Sequence, residues 1–316
     1  MHEQAHMNIT NLIGDAIRIF GEETESFLPI IERRYDRELF PSTGQYDLFS
    51  AQVLYCLIRL TKPDVIIEVS TSSGYSTLIQ ASALRRNGMG LIHTFELDPS
   101  LAKSAQSALQ LFGLDEVVRI HTGDARTMSD RIPCVTGKRL LFLDSLHTAE
   151  FAQWFIQRWV VDAPEGSLFH AHDCMPESAR VRFDDGPPWQ TQRLGWLRGI
   201  GRRVLGKPTP KQLGHIERRC LPPTIQNGLA ATDGVFTTEA LLMNQLTSRM
   251  SPNDYCYLHP MAANYPQLRA SRLDYLTRKR QNQFGDPMEW NETLWLDAVA
   301  LASAFSSHAG RATVSR

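Results

Sequence analysis

A strand, a turn of small residues and a helix start follow one another in DVIIEVSTSSGYST, at residues 64–77. The apolar run ends in an acid, Glu68, and the helix begins near Ser76. The turn between them includes Ser70, Ser72, Ser73 and Gly74. Small residues let a ligand approach the backbone, and a helix N-terminus offers N–H groups that lack partners within the helix. The stretch therefore predicts the ligand-binding turn of an α/β fold.

The glycine content of this turn excludes two common nucleotide sites. A dinucleotide-binding turn needs three spaced glycines, and a phosphate loop has its own glycine-rich pattern. Only Gly74 is present here. We therefore expect neither NAD nor a phosphate loop.

Four further apolar runs follow, and each ends in polar residues. Helical patterns separate these runs, which span residues 91–97, 117–123, 138–144 and 167–172. The alternation predicts a parallel sheet covered on both faces, with ligands at the carboxyl ends of its strands. The polar residues at those ends are Glu96, Asp124, Asp144, His172 and Asp173.

Glu96 has the position of a ribose ligand. An acid that ends the second strand, about 20 or more residues past the first turn, can accept both ribose hydroxyls. The alternative is a solvated acid at a strand end. The serines of the first turn have an alternative role as helix caps, which is compatible with ligand binding.

Five segments, EVSTSSGYST, TFELDP, TGDA, FLDSLH and FHAHD, occur in this order. In order and spacing they resemble the motifs of class I S-adenosylmethionine-dependent methyltransferases. The nearest resemblance is to metal-assisted O-methyltransferases of small molecules, of the antibiotic-tailoring and catechol types. It covers residues 45–175 and, more loosely, 236–298, and it implies S-adenosylmethionine as cofactor and O-methylation in specialised metabolism. The family usually has Gly where this chain has Ser70.

The resemblance implies a role for each residue at the strand ends. Glu96 would bind the ribose and Asp124 would lie by the adenine amine, with Asp144 also near the cofactor. The remaining cofactor-binding residues would be Glu68, Ser70, Ser72, Ser73, Gly74 and Ser76. His147 stands where related enzymes often have a base, and a histidine with a pKa near neutrality suits that task. Its alternative role is that of a hydrogen-bonded surface residue.

The resemblance also implies a metal site at Asp144, His172 and Asp173, which would make Asp144 catalytic together with His147. Adjacent parallel strands lie about 4.8 Å apart, so these side chains can converge on one ion. Mg²⁺ is favoured, and the imidazole of His172, a departure from the family, tilts the site toward Mn²⁺ or another transition metal. Such a cation would lower the pKa of a bound hydroxyl.

Two alternatives to this metal site stay open. His172 and Asp173 could bond only to the neighbouring loop. His170, His172 and Cys174 alternate along one strand and would share a face, which is compatible with structural zinc.

The predicted fold is a Rossmann-like, doubly wound, mostly parallel seven-stranded sheet with an antiparallel edge. N-terminal helices (residues 1–60) precede a cofactor-binding core (61–175) and a substrate-covering insertion rich in proline (176–235). A final helix (237–249) and two strands (255–260 and 291–296) complete the core within residues 236–300, and 301–316 form a flexible tail.

The composition of the chain limits the classes of partner that we expect it to bind. The net charge of −1 argues against nucleic acid, and no run of 18 apolar residues suggests a membrane span. Five scattered cysteines and a polar N-terminus predict a cytoplasmic protein. Residues 193–219 hold eight basic residues and one acid, which is compatible with a solvated basic helix. Among the functional interpretations of this segment, an anionic or carrier-bound small-molecule substrate is favoured over a membrane surface. The oligomeric state stays open, a homo-oligomer included.

Two other functions remain compatible with these motifs. One keeps S-adenosylmethionine and changes the chemistry to N-methylation, aminocarboxypropyl transfer, elimination or cyclisation. The other is a non-catalytic protein with the same fold that binds a partner through the basic segment. The acids Glu96 and Asp144 argue against the second.

Overall fold

The structure, a computed structural model, describes residues 8–38, 46, 48–132, 135–144, 147–172, 174, 238–258 and 293–312. The strands of this part of the chain are β1 (Val65–Val69), β2 (Leu91–Glu96), β3 (Val118–Thr122), β4 (Arg139–Leu143), β5 (Leu168–His172), β6 (Tyr255–Leu258) and β7 (Thr293–Asp297). Its α-helices are α1 (Ile9–Glu38), α2 (Leu48–Thr61), α3 (Tyr75–Asn87), α4 (Pro99–Phe112), α5 (Ala125–Met128), α6 (Ala149–Phe155), α7 (Thr238–Thr247) and α8 (Ala298–Ala312). A π-helical turn, Ile156–Val160, follows α6 directly.

The seven strands form one sheet in the order β3-β2-β1-β4-β5-β7-β6. Strands β1 to β5 are parallel to one another, whereas β7 runs antiparallel to β5 and to β6. The predicted mostly parallel, seven-stranded sheet with an antiparallel edge is confirmed. The strand order reverses between β1 and β4, and ligands in open α/β sheets bind outside the carboxyl ends of the strands at such a point.

Side chains that alternate along β1 enter two separate cores. Successive residues of a strand face opposite sides of the sheet. Ile66 packs in the core that includes α1, α2 and α3, whereas Ile67 packs in the core that includes α6, α7 and α8. Both isoleucines are fully buried, so the central strand is fixed from both faces.

A carboxylate on α1 links the two N-terminal helices to each other. Glu23 on α1 accepts hydrogen bonds from Tyr55 (2.7 Å) and from Arg59 Nε (3.0 Å) on α2. These bonds lower the pKa of Glu23, that from Arg59 contributing most, and the aromatic hydroxyl of Tyr55 has its pKa raised by burial and by Glu23. The contact joins α1 to α2.

The prediction of a flexible tail over residues 301–316 is wrong for its first part. Residues up to 312 continue α8, and the side chains of Leu301 and Ala304 are buried in the core. The alanines of this stretch favour a helix, and its buried face gives that helix a partner.

Several predictions concern residues outside the described ranges. These are the ligand Asp173, the insertion at 176–235 with its basic segment, and most of the stretch between α1 and α2. In the part of the chain that is described, no helix has both the length and the apolar character needed to cross a membrane.

Candidate functional site

Four of the predicted site residues lie in one row at the carboxyl edge of the sheet. In the strand register, Val69 is level with Phe95 on one side and with Leu143 on the other, and Leu143 is level with Ala171. The next residue of each strand is therefore at the same height. This row consists of Glu96, Ser70, Asp144 and His172, and it spans the reversal of strand order.

The turn after β1 has an unusual backbone. Ser70 and Ser72 have φ angles of 76° and 49°, in the left-handed region that costs non-glycine residues about 1 kcal/mol or more, and Gly74 has a φ of 95°. The N–H groups of Ser70 and Thr71 donate to the carbonyl of Phe95 on β2, at 3.0 and 3.1 Å. The turn thus folds back over the end of β2 toward Glu96.

Glu68 lies beneath this turn and is fully buried. Its carboxylate accepts hydrogen bonds from Ser76 (2.7 Å), from Thr77 (2.6 Å) and from the amide of Gln80, all on the first turns of α3. Burial raises the pKa of Glu68, and the hydroxyl donors act in the opposite direction. Glu68 and Ser76, two predicted cofactor ligands, therefore join β1 to α3 in the protein interior.

Glu96 holds together the turns that follow β1 and β2. One carboxylate oxygen accepts from the backbone N–H of Ser72 (2.6 Å), and the other accepts from that of Asp98 (2.9 Å). The residue is 7% exposed, so the carboxylate meets solvent over a small opening. An ionised carboxylate has about four acceptor sites, so two backbone donors leave capacity for ligand hydroxyls.

Two neighbouring residues complete this end of the site. Leu97 is 72% exposed although it is large and apolar, and it directly follows Glu96. Asp124 caps α5 by accepting from the N–H of Arg126 (2.9 Å), and its carboxylate also pairs with the guanidinium of Arg126 (2.8 Å). That pairing lowers the pKa of Asp124. An apolar surface thus lies beside two acids at the ends of β2 and β3.

A second group of ionisable side chains surrounds Asp144. Its Oδ1 lies 3.2 Å from Nδ1 of His172 and 3.8 Å from Nε2 of His147. The other ring nitrogen of His147 lies 3.2 Å from Oε2 of Glu239, at the start of α7. The structure thus brings the predicted Asp144, His147 and His172 together and adds Glu239.

The fit of a divalent cation depends on Asp144 and His172. A carboxylate and an imidazole are donors that Mn²⁺ and other transition metals accept. These two residues touch each other, and the third predicted ligand, Asp173, lies outside the described residues. Among the residues with described positions, no group of three His, Cys, Asp or Glu side chains has an arrangement suited to a metal ion.

His170 is engaged by the protein on both ring nitrogens. Nε2 lies 2.9 Å from the hydroxyl of Tyr46, and Nδ1 lies 3.3 Å from the carbonyl of Leu294. The ring is fully buried and stacks on Trp295 at a centroid distance of 4.4 Å. These contacts give His170 a structural role and argue against the zinc alternative.

Three residues of this site were not among the predicted site residues. Leu97 stands in a quoted motif, and the available signal was an apolar residue directly after the acid that ends β2. Tyr46, whose ring lies 5.2 Å from that of His172, and Glu239 come from distant parts of the chain. Glu239 is 92 residues from His147, and no local pattern connects them.

The part of the chain that contains this candidate site is similar to known proteins. A family model described as a methyltransferase domain matches residues 67–174, from β1 to just past β5. This stretch of the chain therefore resembles a methyltransferase domain. It includes Glu96, Asp144 and His172, and the resemblance predicted from the five motifs is confirmed.

Relatives of the methyltransferase domain carry O-methyltransferase names. The human protein named transmembrane O-methyltransferase is 32% identical over 135 residues, which cover 42% of each chain. The Niastella koreensis protein named catechol O-methyltransferase is 40% identical over 72 residues, which cover 23% of this chain and 32% of that one. The chain thus spans less than half the length of these curated relatives. A Bacillus cereus O-methyltransferase structure with SAH covers 90% of this chain and 99% of its own, at 12% identity and a TM-score of 0.47.

Proposed function

We propose that the protein transfers a methyl group from S-adenosylmethionine to a hydroxyl oxygen of a small molecule, with a divalent cation at Asp144. The observation that carries this proposal is the row of Glu96, Ser70, Asp144 and His172 across the reversal of strand order. At one end of the row, the carboxylate of Glu96 can accept hydrogen bonds from ligand hydroxyls. At the other end, Asp144 lies beside the imidazoles of His147 and His172. Methyl transfer needs both a held donor and a deprotonated acceptor.

The β1–β2 end suits S-adenosylmethionine, which when bound supplies a methyl group on a positively charged sulfur. Glu96 would accept the ribose hydroxyls with its remaining acceptor sites. The exposed Leu97 offers an apolar surface to the adenine ring, with Asp124 near the adenine amine. The N-cap of α3 is Gly74, which has no side-chain cap bond, so the helix N-terminus can receive the carboxylate of the cofactor. Ser70, Ser72 and Ser73 would line that end.

The β4–β5 end suits deprotonation of the acceptor. Nε2 of His147 faces Asp144, so a hydroxyl bound at Asp144 is within reach of this nitrogen. General base catalysis of this kind contributes roughly 10²–10⁴-fold. Asp144, His172 and Asp173 would hold Mg²⁺ or Mn²⁺, which would lower the pKa of the bound hydroxyl.

The substrate class is also part of the proposal. The name of the Niastella relative points to a catechol, whose two neighbouring hydroxyls can both approach one cation. The basic residues between 193 and 219 favour an anionic or carrier-bound acceptor. We therefore choose protocatechuate, an anionic catechol, as the test acceptor. A cytoplasmic role in specialised metabolism, as a monomer or a homo-oligomer, completes the proposal.

Calorimetric titration of S-adenosylmethionine into the full chain tests the cofactor half of the proposal. We expect binding with Mg²⁺, with Mn²⁺ and with a chelator present. Glu96→Gln should weaken binding by roughly tenfold or more, because a hydrogen bond to a charged group contributes about 1.5–3 kcal/mol. Glu165→Gln, at an exposed position, is the matched control and should bind as the wild type does. An absence of binding in every condition would refute the proposal.

The released product separates methylation from other cofactor chemistry. Incubation with S-adenosylmethionine and protocatechuate should release S-adenosylhomocysteine and a methylated catechol. Methylthioadenosine would instead indicate aminocarboxypropyl transfer or elimination. Full turnover in the presence of a strong chelator would contradict the cation, while leaving O-methylation in place.

A further inference from the structure

We infer that Glu239 is a positioning residue that orients His147 and sets which of its ring nitrogens carries the proton. The inference rests on the proposed function, in which His147 accepts the proton of the acceptor hydroxyl. Glu239 lies on α7, outside the matched methyltransferase domain, and the sequence motifs do not include it.

Two consecutive residues of α7 hold the loop that carries His147. Oε2 of Glu239 lies 3.2 Å from Nδ1 of His147, and the N–H of Glu239 donates to the carbonyl of His147 at 3.4 Å. The hydroxyl of Thr238 accepts from the N–H of Ala149 at 3.0 Å. The first turn of α7 therefore binds both the side chain and the backbone of this loop.

Burial and backbone conformation indicate that these contacts are specific. Glu239 is 1% exposed, and a carboxylate so deeply buried requires hydrogen-bonded partners. His147 has a φ of 47°, in the left-handed region that a non-glycine residue adopts only when its surroundings hold it there. The contacts with Glu239 supply part of that restraint and point the ring toward Asp144.

The geometry has a chemical consequence for the imidazole. If Nδ1–H donates to Glu239, the neutral ring keeps its lone pair on Nε2, the nitrogen that faces Asp144 at 3.8 Å. The hydroxyl proton of the acceptor then passes to Nε2, and the resulting cation lies between Glu239 and Asp144. The acceptor oxygen forms a bond to the methyl carbon as the carbon–sulfur bond breaks, and S-adenosylhomocysteine leaves.

Nuclear magnetic resonance of the full chain labelled with ¹⁵N-histidine tests the inference without any acceptor. Spectra are recorded in alkaline buffer, where imidazoles are neutral, and His147→Gln assigns the signal. We expect the Nδ1–H form in the wild type and in the exposed-site control Glu165→Ala. Glu239→Ala should shift His147 toward the Nε2–H form, whereas Glu239→Gln, whose amide oxygen can still accept, should retain the Nδ1–H form. An unchanged form in Glu239→Ala overturns the inference.

Kinetics with protocatechuate separate this inference from the proposed function. Glu239→Ala should lower kcat by roughly 10²-fold, the effect of a misplaced catalytic group, with KM and cofactor affinity within about twofold. If His147→Gln leaves kcat unchanged, the proposed base is wrong. If His147→Gln lowers kcat but Glu239→Ala does not, only the positioning role of Glu239 is wrong.

Discussion

The two ends of the candidate site are assembled in different ways. At the β1–β2 end, Glu68 binds Gln80, which is 12 residues away, and Glu96 binds Ser72, which is 24 residues away. At the β4–β5 end, His147 contacts Glu239 across 92 residues, and Tyr46 contacts His170 across 124. One continuous stretch therefore shapes the β1–β2 end, where we propose that the cofactor binds. Tertiary packing of distant segments shapes the β4–β5 end, where we propose that the acceptor binds.

Of the substitutions considered, Asp144→Ala should have the largest effect, which is a loss of methylation activity. We expect methylation of protocatechuate to fall by roughly 10³-fold, because the substitution removes a proposed cation ligand and the acid beside the base. Binding of Mn²⁺, followed by electron paramagnetic resonance, should weaken in parallel. Asp130→Ala, an exposed aspartate elsewhere, should leave both unchanged. Full turnover by Asp144→Ala would exclude the cation site at this end.

Glu68→Ala, at the β1–β2 end of the site, should lower the stability of the protein. The substitution leaves the buried donors of Ser76, Thr77 and Gln80 without their acceptor, which we expect to lower the free energy of unfolding by about 3 kcal/mol. Urea denaturation measures the loss. Glu165→Ala should change stability by less than about 0.5 kcal/mol. A stable Glu68→Ala protein that no longer binds S-adenosylmethionine would instead make Glu68 a direct ligand.

The difference between local contacts at the β1–β2 end and long-range contacts at the β4–β5 end also explains which features the sequence could predict. The strands, their order along the chain and the residues at their ends follow from local alternation of apolar runs and helical patterns. The partners of those residues do not, because the contacts of Glu239 and Tyr46 depend on how distant segments pack. The small and polar residues of the tail favour flexibility, whereas in the structure alanines with a buried face form α8.

A histidine pair makes the β2–β3 part of the sheet sensitive to acid. His93 on β2 and His121 on β3 stack, with Nδ1 and Nε2 at 3.0 Å. Burial, then the charges of His121 and Arg119, lower the pKa of His93 from 6.5 to about 4, and burial also lowers that of His121. The unfolded chain therefore takes up protons first as the pH falls. The contribution of this pair to the free energy of unfolding is fully present above about pH 6.5 and is lost progressively toward about pH 4.

Urea denaturation at neutral and mildly acidic pH measures this effect. Because His93 is only half-buried, water screens the interaction, and we expect it to account for about 1 kcal/mol of the acid loss. His93→Gln should lose less stability on acidification than the wild type does. Gln110→Ala, at an exposed position on α4 whose side chain does not titrate, should lose as much as the wild type. Equal losses in all three proteins would assign the acid sensitivity to other groups.

Ser70→Gly should have the smallest effect, and its direction is informative. Glycine adopts the φ of 76° without strain, but it also increases the entropy of the unfolded chain, so we expect a net gain of about 0.5 kcal/mol in the free energy of unfolding. Ser82→Gly inside α3 is the matched control and should lose about 0.5 kcal/mol, because glycine is a poorer helix former than serine. Calorimetry then decides the role of the hydroxyl. Unchanged or tighter binding of S-adenosylmethionine would mean that Ser70 only replaces the glycine of the family. Weaker binding in a more stable protein would make the Ser70 hydroxyl a ligand. Ser70 would then lower stability through its backbone strain and raise cofactor affinity through its hydroxyl.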